Sequence, residues 1–259
     1  MGAIIRVKDL KKTYRASRDG LEVRALDGIN LEVGDGEFVS LVGPSGCGKS
    51  TLLFILAGLV EPTEGGASAG EERITGPSWR RGMAFQDFAL FPWLTVAENI
   101  AFGLRMRGMA RAERDAIVRK YIELVNLRGF ETRYPHELSG GMKQRTAIAR
   151  TLANEPDVLL MDEPFASVDA QTRTILQDEL LRIWSAGERK RTVLFVTHSV
   201  EEALYLSDRV IVLSARPGRI LEEVPVPFGR PRDESVLRDP RFMDLRLEIW
   251  GHLKHEVPR

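Results

Sequence analysis

The stretch Gly43-Pro44-Ser45-Gly46-Cys47-Gly48-Lys49-Ser50, continued by Thr51, follows the spacing G-x-x-x-x-G-K-[ST], which is that of a phosphate-binding loop. Its surroundings suit that chemistry: the apolar run Phe38 to Val42 precedes it and a helical apolar run from Leu52 to Leu59 follows. Glycines let backbone N–H groups turn inward around phosphate oxygens, and a helix that starts there adds its positive end. Lys49 is placed to neutralise terminal phosphates. Ser50 offers a hydroxyl to Mg²⁺, a hard cation that takes oxygen ligands. Cys47 sits where a helix start lowers a thiol pKa, and its two readings, a reactive thiol and an inert filler of the loop, both stand.

Two further segments carry chemistry. Asp162 and Glu163 end the apolar run Val158 to Met161, an order that sends one carboxylate toward a metal and the next toward a terminal phosphate. Glu163 is the general-base candidate, able to polarise an attacking water. In Leu138-Ser139-Gly140-Gly141-Met142-Lys143-Gln144-Arg145 a serine and two glycines open a helix and present N–H groups to an anion. Alone, Ser-Gly-Gly is a common helix start. Its specificity comes from position, after the phosphate loop and before Asp162-Glu163.

The elements that must position these residues alternate between short apolar runs and longer helical segments, the pattern of a mostly parallel sheet covered by helices. Phe38 to Val42 leads into the glycine loop, Met83-Ala84-Phe85 into Gln86, Val158 to Met161 into Asp162, and Val193 to Val196 into Thr197-His198. In open α/β sheets ligands bind beyond the carboxyl ends of strands, so these four polar ends are expected to converge. From about 87 to 155 the chain reads as helix after helix, with Ile117, Val118, Tyr121, Ile122, Leu124 and Val125 on one stripe. A helix over about 170–185 buries Leu176, Leu180, Ile183 and Trp184. Beyond Val224, prolines and the charged stretch Arg230 to Glu234 read as a linker to a terminal helix carrying Phe242, Leu245, Ile249 and Leu253.

Composition bounds the rest. A chain of 259 residues suits one large domain or one domain with a sub-lobe. The 37 Lys+Arg match the 37 Asp+Glu, which removes the net positive field of a general nucleic-acid binder and leaves only a local basic patch open. A single cysteine excludes an internal disulfide and cysteine-built metal sites, in keeping with a reducing cytosol. No apolar stretch approaches the roughly 18 residues of a membrane-spanning helix, and Met1 to Lys8 lacks the features of a secretory signal. The expectation is a protein that stays in the compartment where it is made.

Taken in order, these residues resemble the ATP-binding subunit of an ABC transporter, over Tyr14 to at least Pro217. Six elements carry the resemblance: the Walker A loop (Gly43 to Thr51), Gln86, the LSGG segment (Ser139 to Gln144), the Walker B acids Asp162 and Glu163, Asp169, and His198. It implies an α/β P-loop NTPase fold of the ABC ATPase type, with a mostly parallel sheet core, an N-terminal antiparallel β part and a helical sub-lobe over about 87–155. The ATP-binding domain is expected over 1–229, with the linker and amphipathic helix over 230–259. It further implies that two subunits, identical or paralogous, pack head to tail around two Mg·ATP. Each ATP would then lie between Gly43, Pro44, Ser45, Gly46, Cys47, Gly48, Lys49, Ser50 and Thr51 of one chain and Ser139, Gly140, Gly141 and Gln144 of the other. Carried over residue by residue, Gln86 contacts Mg²⁺ and the attacking water, with Ser50 and Asp162 as the other metal contacts. His198 binds the γ-phosphate, Asp169 communicates across the dimer, and Tyr14 stacks on adenine. The sequence departs from many relatives at Ala166-Ser167-Val168 and at Ser199, without loss of a catalytic group.

The wording Leu90-Phe91-Pro92-Trp93-Leu94 is similar to the nitrate, sulfonate and taurine import branch, as is the ending after Arg230-Pro231-Arg232. That branch implies a permease docking near Phe91 and Trp93, an external solute-binding protein, a place on the cytoplasmic face of the inner membrane, and no nucleic-acid partner. Phe91 and Trp93 equally suit packing within the sub-lobe. The terminal helix has three candidate contacts: the permease, the second ATPase, and its own domain. Nitrate, an organic sulfonate, and a pyrimidine-like or aromatic acid all remain open as cargo. The same catalytic residues serve an exporter or lipid-extraction ATPase. A soluble ABC ATPase acting on nucleic acid or the ribosome is disfavoured by the balanced charge, and a small-molecule kinase would not need the LSGG segment.

Overall fold

The computed structural model describes residues 5–15, 21–166, 168–185 and 191–256; Ser167 lies outside them. The chain divides into two compact units, Met1–Ser78 with Arg191–Arg259, and Trp79–Lys190.

In the first unit, β1 (Ile5–Arg15), β2 (Glu22–Val33), β4 (Glu64–Ala69) and β5 (Glu72–Arg73) form an antiparallel sheet in the order β2-β1-β4-β5. A second set runs β10 (Ile220–Pro225), β9 (Arg209–Leu213), β3 (Phe38–Val42), β8 (Thr192–Val196). Here β3 is parallel to both neighbours and β10 is antiparallel to β9. All five residues of β3 and of β8 are buried, which is why both read as unbroken apolar runs instead of alternating ones. The one polar residue in β3, Ser40, meets the buried hydroxyl of Ser207 in a hydrogen bond, so its burial leaves no orphaned group.

The helices of this unit are α1 (Lys49–Ala57), α6 (Val200–Leu206) and α7 (Pro240–Glu256). Helix α1 starts three residues before the apolar run, which puts Lys49, Ser50 and Thr51 on its first turn. Of the three contacts open to the terminal helix, the structure shows its own unit. Phe242, Ile249 and Leu253 of α7 are buried in one cluster with Val42 of β3, Val210 and Val212 of β9, and Ala203 and Leu204 of α6. The stretch read as a linker is fastened down as well. Arg232 is 7% exposed and donates to the carbonyls of Leu204, Tyr205, Ser207 and Phe228 at 2.7–3.3 Å. Three of those carbonyls close the C-terminal end of α6, where a cation also opposes the helix dipole. Burial pushes the Arg232 guanidinium down to about 10, still charged at neutral pH.

In the second unit, β6 (Arg81–Ala84) and β7 (Val158–Asp162) pair in parallel. They accompany α2 (Val96–Met106), α3 (Arg111–Leu124), α4 (Gly140–Ala153) and α5 (Ala170–Ser185). The helical block foreseen from about residue 87 is α2 to α4, and α3 buries Val118, Tyr121 and Ile122 from the expected stripe. Thr95 and Glu98 form a reciprocal capping box at the start of α2, and α5 buries Leu176, Leu180, Leu181, Ile183 and Trp184.

Candidate functional site

The phosphate loop leaves the carboxyl end of β3 and closes on the first turn of α1. Gly48 caps that helix at φ +105°, and a Cβ there would lie 2.7 Å from the Ala25 carbonyl. No side chain fits, so the loop is drawn tight against β2. Lys49 is only 6% exposed, and its ammonium donates to the carbonyls of Gly43 at 2.8 Å and Pro44 at 3.0 Å. Held this way it sits inside the arch of the loop, while Ser45 and Gly46 face outward. Ser50 and Thr51 are half-buried on the first turn. Cys47 is 1% exposed. Burial pushes its thiol up against the opposing pull of Lys49, so the reading as loop filler prevails over that as a reactive thiol.

His198 is brought to the same edge. Strands β3 and β8 are parallel neighbours with Leu41 opposite Val196, and the Thr197 N–H donates to the Leu41 carbonyl at 3.2 Å. Gly43 and His198 therefore emerge side by side beyond carboxyl ends. A closed set of hydrogen bonds holds the exposed His198 in place. Thr197 donates its hydroxyl to buried Glu202, the Ser199 N–H donates back to Thr197 Oγ1 at 3.0 Å, and Ser199 Oγ accepts from the Glu202 N–H at 3.2 Å. Sequence reading passed over Glu202, although Ser199-Val200-Glu201-Glu202 carries the spacing of a capping box. Tyr14, at the end of β1, is 40% exposed; its hydroxyl lies 3.5 Å from Thr51 Oγ1 and the Lys12 ammonium is 5.0 Å from its ring centroid. The ring is thus available beside the first turn of α1.

The second unit brings together the other strand ends. With Ala84 opposite Met161 in parallel strands, Gln86 and the pair Asp162-Glu163 leave one edge together. Gln86 is exposed, Asp162 is 6% exposed and Glu163 is half-buried. Glu163 has φ +45°, a left-handed backbone that costs a non-glycine residue free energy and is concentrated at functional positions. After Gln86, Phe88 and Ala89 also have positive φ, at +57° and +46°. Arg150 of α4 steadies that segment by donating to the Ala89 carbonyl at 2.6 Å and the Phe88 carbonyl at 3.1 Å. Buried Asn99 binds the next residues, through Phe91 N–H and the carbonyls of Phe91, Leu94 and Thr95 at 2.9–3.2 Å. Trp93 at the tip is 69% exposed, and the Phe91 ring packs 4.4 Å from Phe102. Neither Arg150 nor Asn99 stood out in the sequence, because each acts on carbonyls set by the fold.

Ser139 caps α4 by accepting from the Met142 N–H at 3.3 Å, and Ser139 and Gly140 are exposed at the helix start. Gly141 is buried. Gln144 is fully buried, and among the described residues neither its amide oxygen nor its nitrogen has a partner, whereas Ser139 and Gly140 are exposed. One helical turn from the N-terminus, it points inside the unit. Asp169 is exposed and caps α5, its carboxylate accepting from the Thr172 N–H at 2.9 Å. That backbone bond, with the Thr172 side chain next, holds its carboxyl below the ordinary aspartate value.

Glycine loop, strand-end acids and capped Ser-Gly-Gly helix thus recur in the spacing read from the sequence, and the sequence profile of the ABC transporter family matches residues 26–166. The chain belongs to the ABC transporter family. An uncharacterized ABC transporter ATP-binding protein of Methanocaldococcus jannaschii is 53% identical over 98% of this chain and 92% of its own length. A taurine import ATP-binding protein of Roseobacter denitrificans is 47% identical over 89% and 87%, and an aliphatic sulfonates import ATP-binding protein of Bacillus thuringiensis is 46% identical over 90% of each. Among solved structures, a dimeric ATP-binding cassette in a post-hydrolysis state with ADP and Pi superposes at a TM-score of 0.76. It is 32% identical and covers 87% of this chain and all of that one. The ABC chain is an ATP-binding ATPase subunit of a transporter, with the P-loop ABC fold, and its relatives include import proteins.

Proposed function

We propose that the chain is the ATP-hydrolysing motor of an importer of small sulfonate-like solutes, with taurine, aliphatic sulfonates and nitrate as the candidate class. The observation that carries this reading is the 46–47% identity to taurine and aliphatic sulfonate import proteins along about nine tenths of both chains. No helix among the described residues is long and apolar enough to cross a membrane, so a separate permease provides the path. The chain attaches to that permease at the membrane's inner face, through Trp93 and Phe91. An external binding protein delivers the solute.

In this reading two copies, or this chain and a paralogue, enclose ATP. Gly43 to Thr51 hold the phosphates through backbone N–H groups and the Lys49 ammonium, Tyr14 stacks on adenine, and Ser139, Gly140 and Gly141 face the nucleotide of the partner chain. Asp169 faces the same dimer interface. The donors assigned to Mg²⁺ are the Ser50 hydroxyl, the Gln86 amide oxygen and the Asp162 carboxylate, an all-oxygen set that fits this cation. When bound, Mg²⁺ offsets charge on the phosphates. Glu163 takes the proton of the attacking water and His198 steadies the terminal phosphate, both by positioning and charge, which is most of what phosphoryl transfer asks of a protein. The test is a pull-down from detergent-solubilised membranes with Glu163→Gln chain held in Mg·ATP. That variant should lose turnover and keep ATP-bound dimers. Recovery of a polytopic membrane protein with a solute-binding protein that takes up sulfonates is expected; recovery of soluble or nucleic-acid partners alone would refute the importer reading.

A further inference from the structure

The turn between β9 and β10, Ser214 to Arg219, lies against the outside of the phosphate loop. Gly218 packs so closely there that a Cβ would fall 2.2 Å from the Cys47 carbonyl, a contact that only glycine permits. Arg216 donates from both Nε and Nη2 to the Gly46 carbonyl at 3.2 Å. Since a peptide unit is rigid and planar, holding the Gly46 carbonyl outward also sets the direction of the Cys47 N–H across the same bond. Lys49 grips the loop from within and Arg216 from without.

The turn itself is braced. Its Ser214 hydroxyl lies 2.9 Å from the Ala215 and Pro217 carbonyls and accepts from the Arg219 N–H at 2.9 Å. Gly218 N–H donates to the Ala25 carbonyl at 2.9 Å, and Arg219 pairs with Asp27 at 2.5 Å. One further hold comes from the far end of the chain: Glu256, the last residue of α7, accepts from the Ala215 N–H at 2.7 Å. Ala215 directly precedes Arg216. The C-terminal helix is therefore connected to the phosphate loop through one carboxylate, one turn and one guanidinium.

We propose that Arg216 is a positioning residue of the phosphate loop and that Glu256 latches the turn bearing it, so that the C-terminal helix sets the affinity for the nucleotide's phosphates. The proposal rests on Gly43 to Thr51 being the ATP phosphate site. A hydrogen bond from a charged group is strong, and exposure of Arg216 weakens it. Arg216→Ala in the full chain should accordingly raise the Kd for a fluorescent ATP analogue about threefold to tenfold, with the effect in KM for Mg·ATP and not in kcat. Glu256→Ala should move Kd in the same direction, and Glu256→Gln should restore it, because an amide oxygen still accepts from the Ala215 N–H. The double variant should be no worse than Arg216→Ala, since both act through one turn. Arg216→Lys carries the test should Arg216→Ala fail to fold, with a smaller rise in Kd expected. An unchanged Kd in a folded Arg216 variant, or additive effects of the two sites, would overturn the proposal. Lys49→Ala separates the premise: if it binds ATP as the unaltered chain does, the phosphate-site reading itself fails.

Discussion

Replacing Ile249 by alanine tests whether α7 belongs to the ATPase unit in solution. Ile249 is 0% exposed and shares its cluster with Val42, the last residue of β3 before the phosphate loop. The change removes three carbon groups at about 0.8 kcal/mol each, about 2.4 kcal/mol, before any cavity is counted. The surrounding strands and α6 are buried on several sides and have little freedom to collapse, so the total should fall near 3 kcal/mol, within the range for buried Ile→Ala changes of about 2–5 kcal/mol. At about 2–4 °C per kcal/mol for a chain of this size, the melting temperature should drop by about 6–12 °C. The comparison is Leu247→Ala, two residues away on the same helix and 63% exposed, which should cost less than about 0.5 kcal/mol. Urea unfolding and thermal melting, both without nucleotide so that ligand does not shift the curves, give the two numbers. Equal losses at the two sites, or a loss below about 1 kcal/mol at Ile249, would show that α7 does not pack as described.

Three more outcomes follow from the geometry. Cys47, buried and with its thiol pushed up, should react with a disulfide reagent at mildly alkaline pH only as fast as the chain unfolds, and rapid labelling of folded protein would contradict its placement. The carboxyl of Asp169 is lowered by the amide it caps, so the stability it contributes is present above the ordinary carboxylate range and is lost as pH falls through the lowered folded value. Asp169→Asn should keep the cap and flatten that acid-side loss, read as urea midpoint against pH; an unaltered slope would count against it. Glu202→Ala frees Thr197 from the hydrogen-bonded set around His198, and misplacing a group proposed to steady the terminal phosphate should lower kcat about tenfold or more with KM for ATP little changed. Glu202→Gln, which still accepts from Thr197, should lose less, and equal loss in both variants would remove the positioning argument.

Much of the site is legible in the chain because its determinants are local. A glycine loop between an apolar run and a helix, acids ending a buried strand, and Ser-Gly-Gly at a helix start each combine backbone conformation and side-chain chemistry within a few residues, so their spacing singles out Gly43 to Thr51, Asp162-Glu163 and Ser139 to Gln144 as candidates. The buried strands announced themselves for the same reason, since β3, β7 and β8 are covered on both faces and need no alternation. What local pattern cannot encode is which distant carbonyl a side chain will meet. Arg232 lay in a charged, proline-rich stretch that reads as a linker, yet it closes the end of α6 because β10 returns the chain beside that helix. Gln144 follows Ser139 and Gly140 by a few residues, and its burial, set by helical rotation, is not legible from that position. Arg216 and Glu256 are separated from Gly46 by 170 and 210 residues in sequence, and only the packing of α7 and the β9–β10 turn on one sheet brings them into line with it. The sequence alone determined the family, the strands and the phosphate chemistry; tertiary structure decided which side chains hold those groups in place, because a hydrogen bond is made in space and leaves no period along the chain.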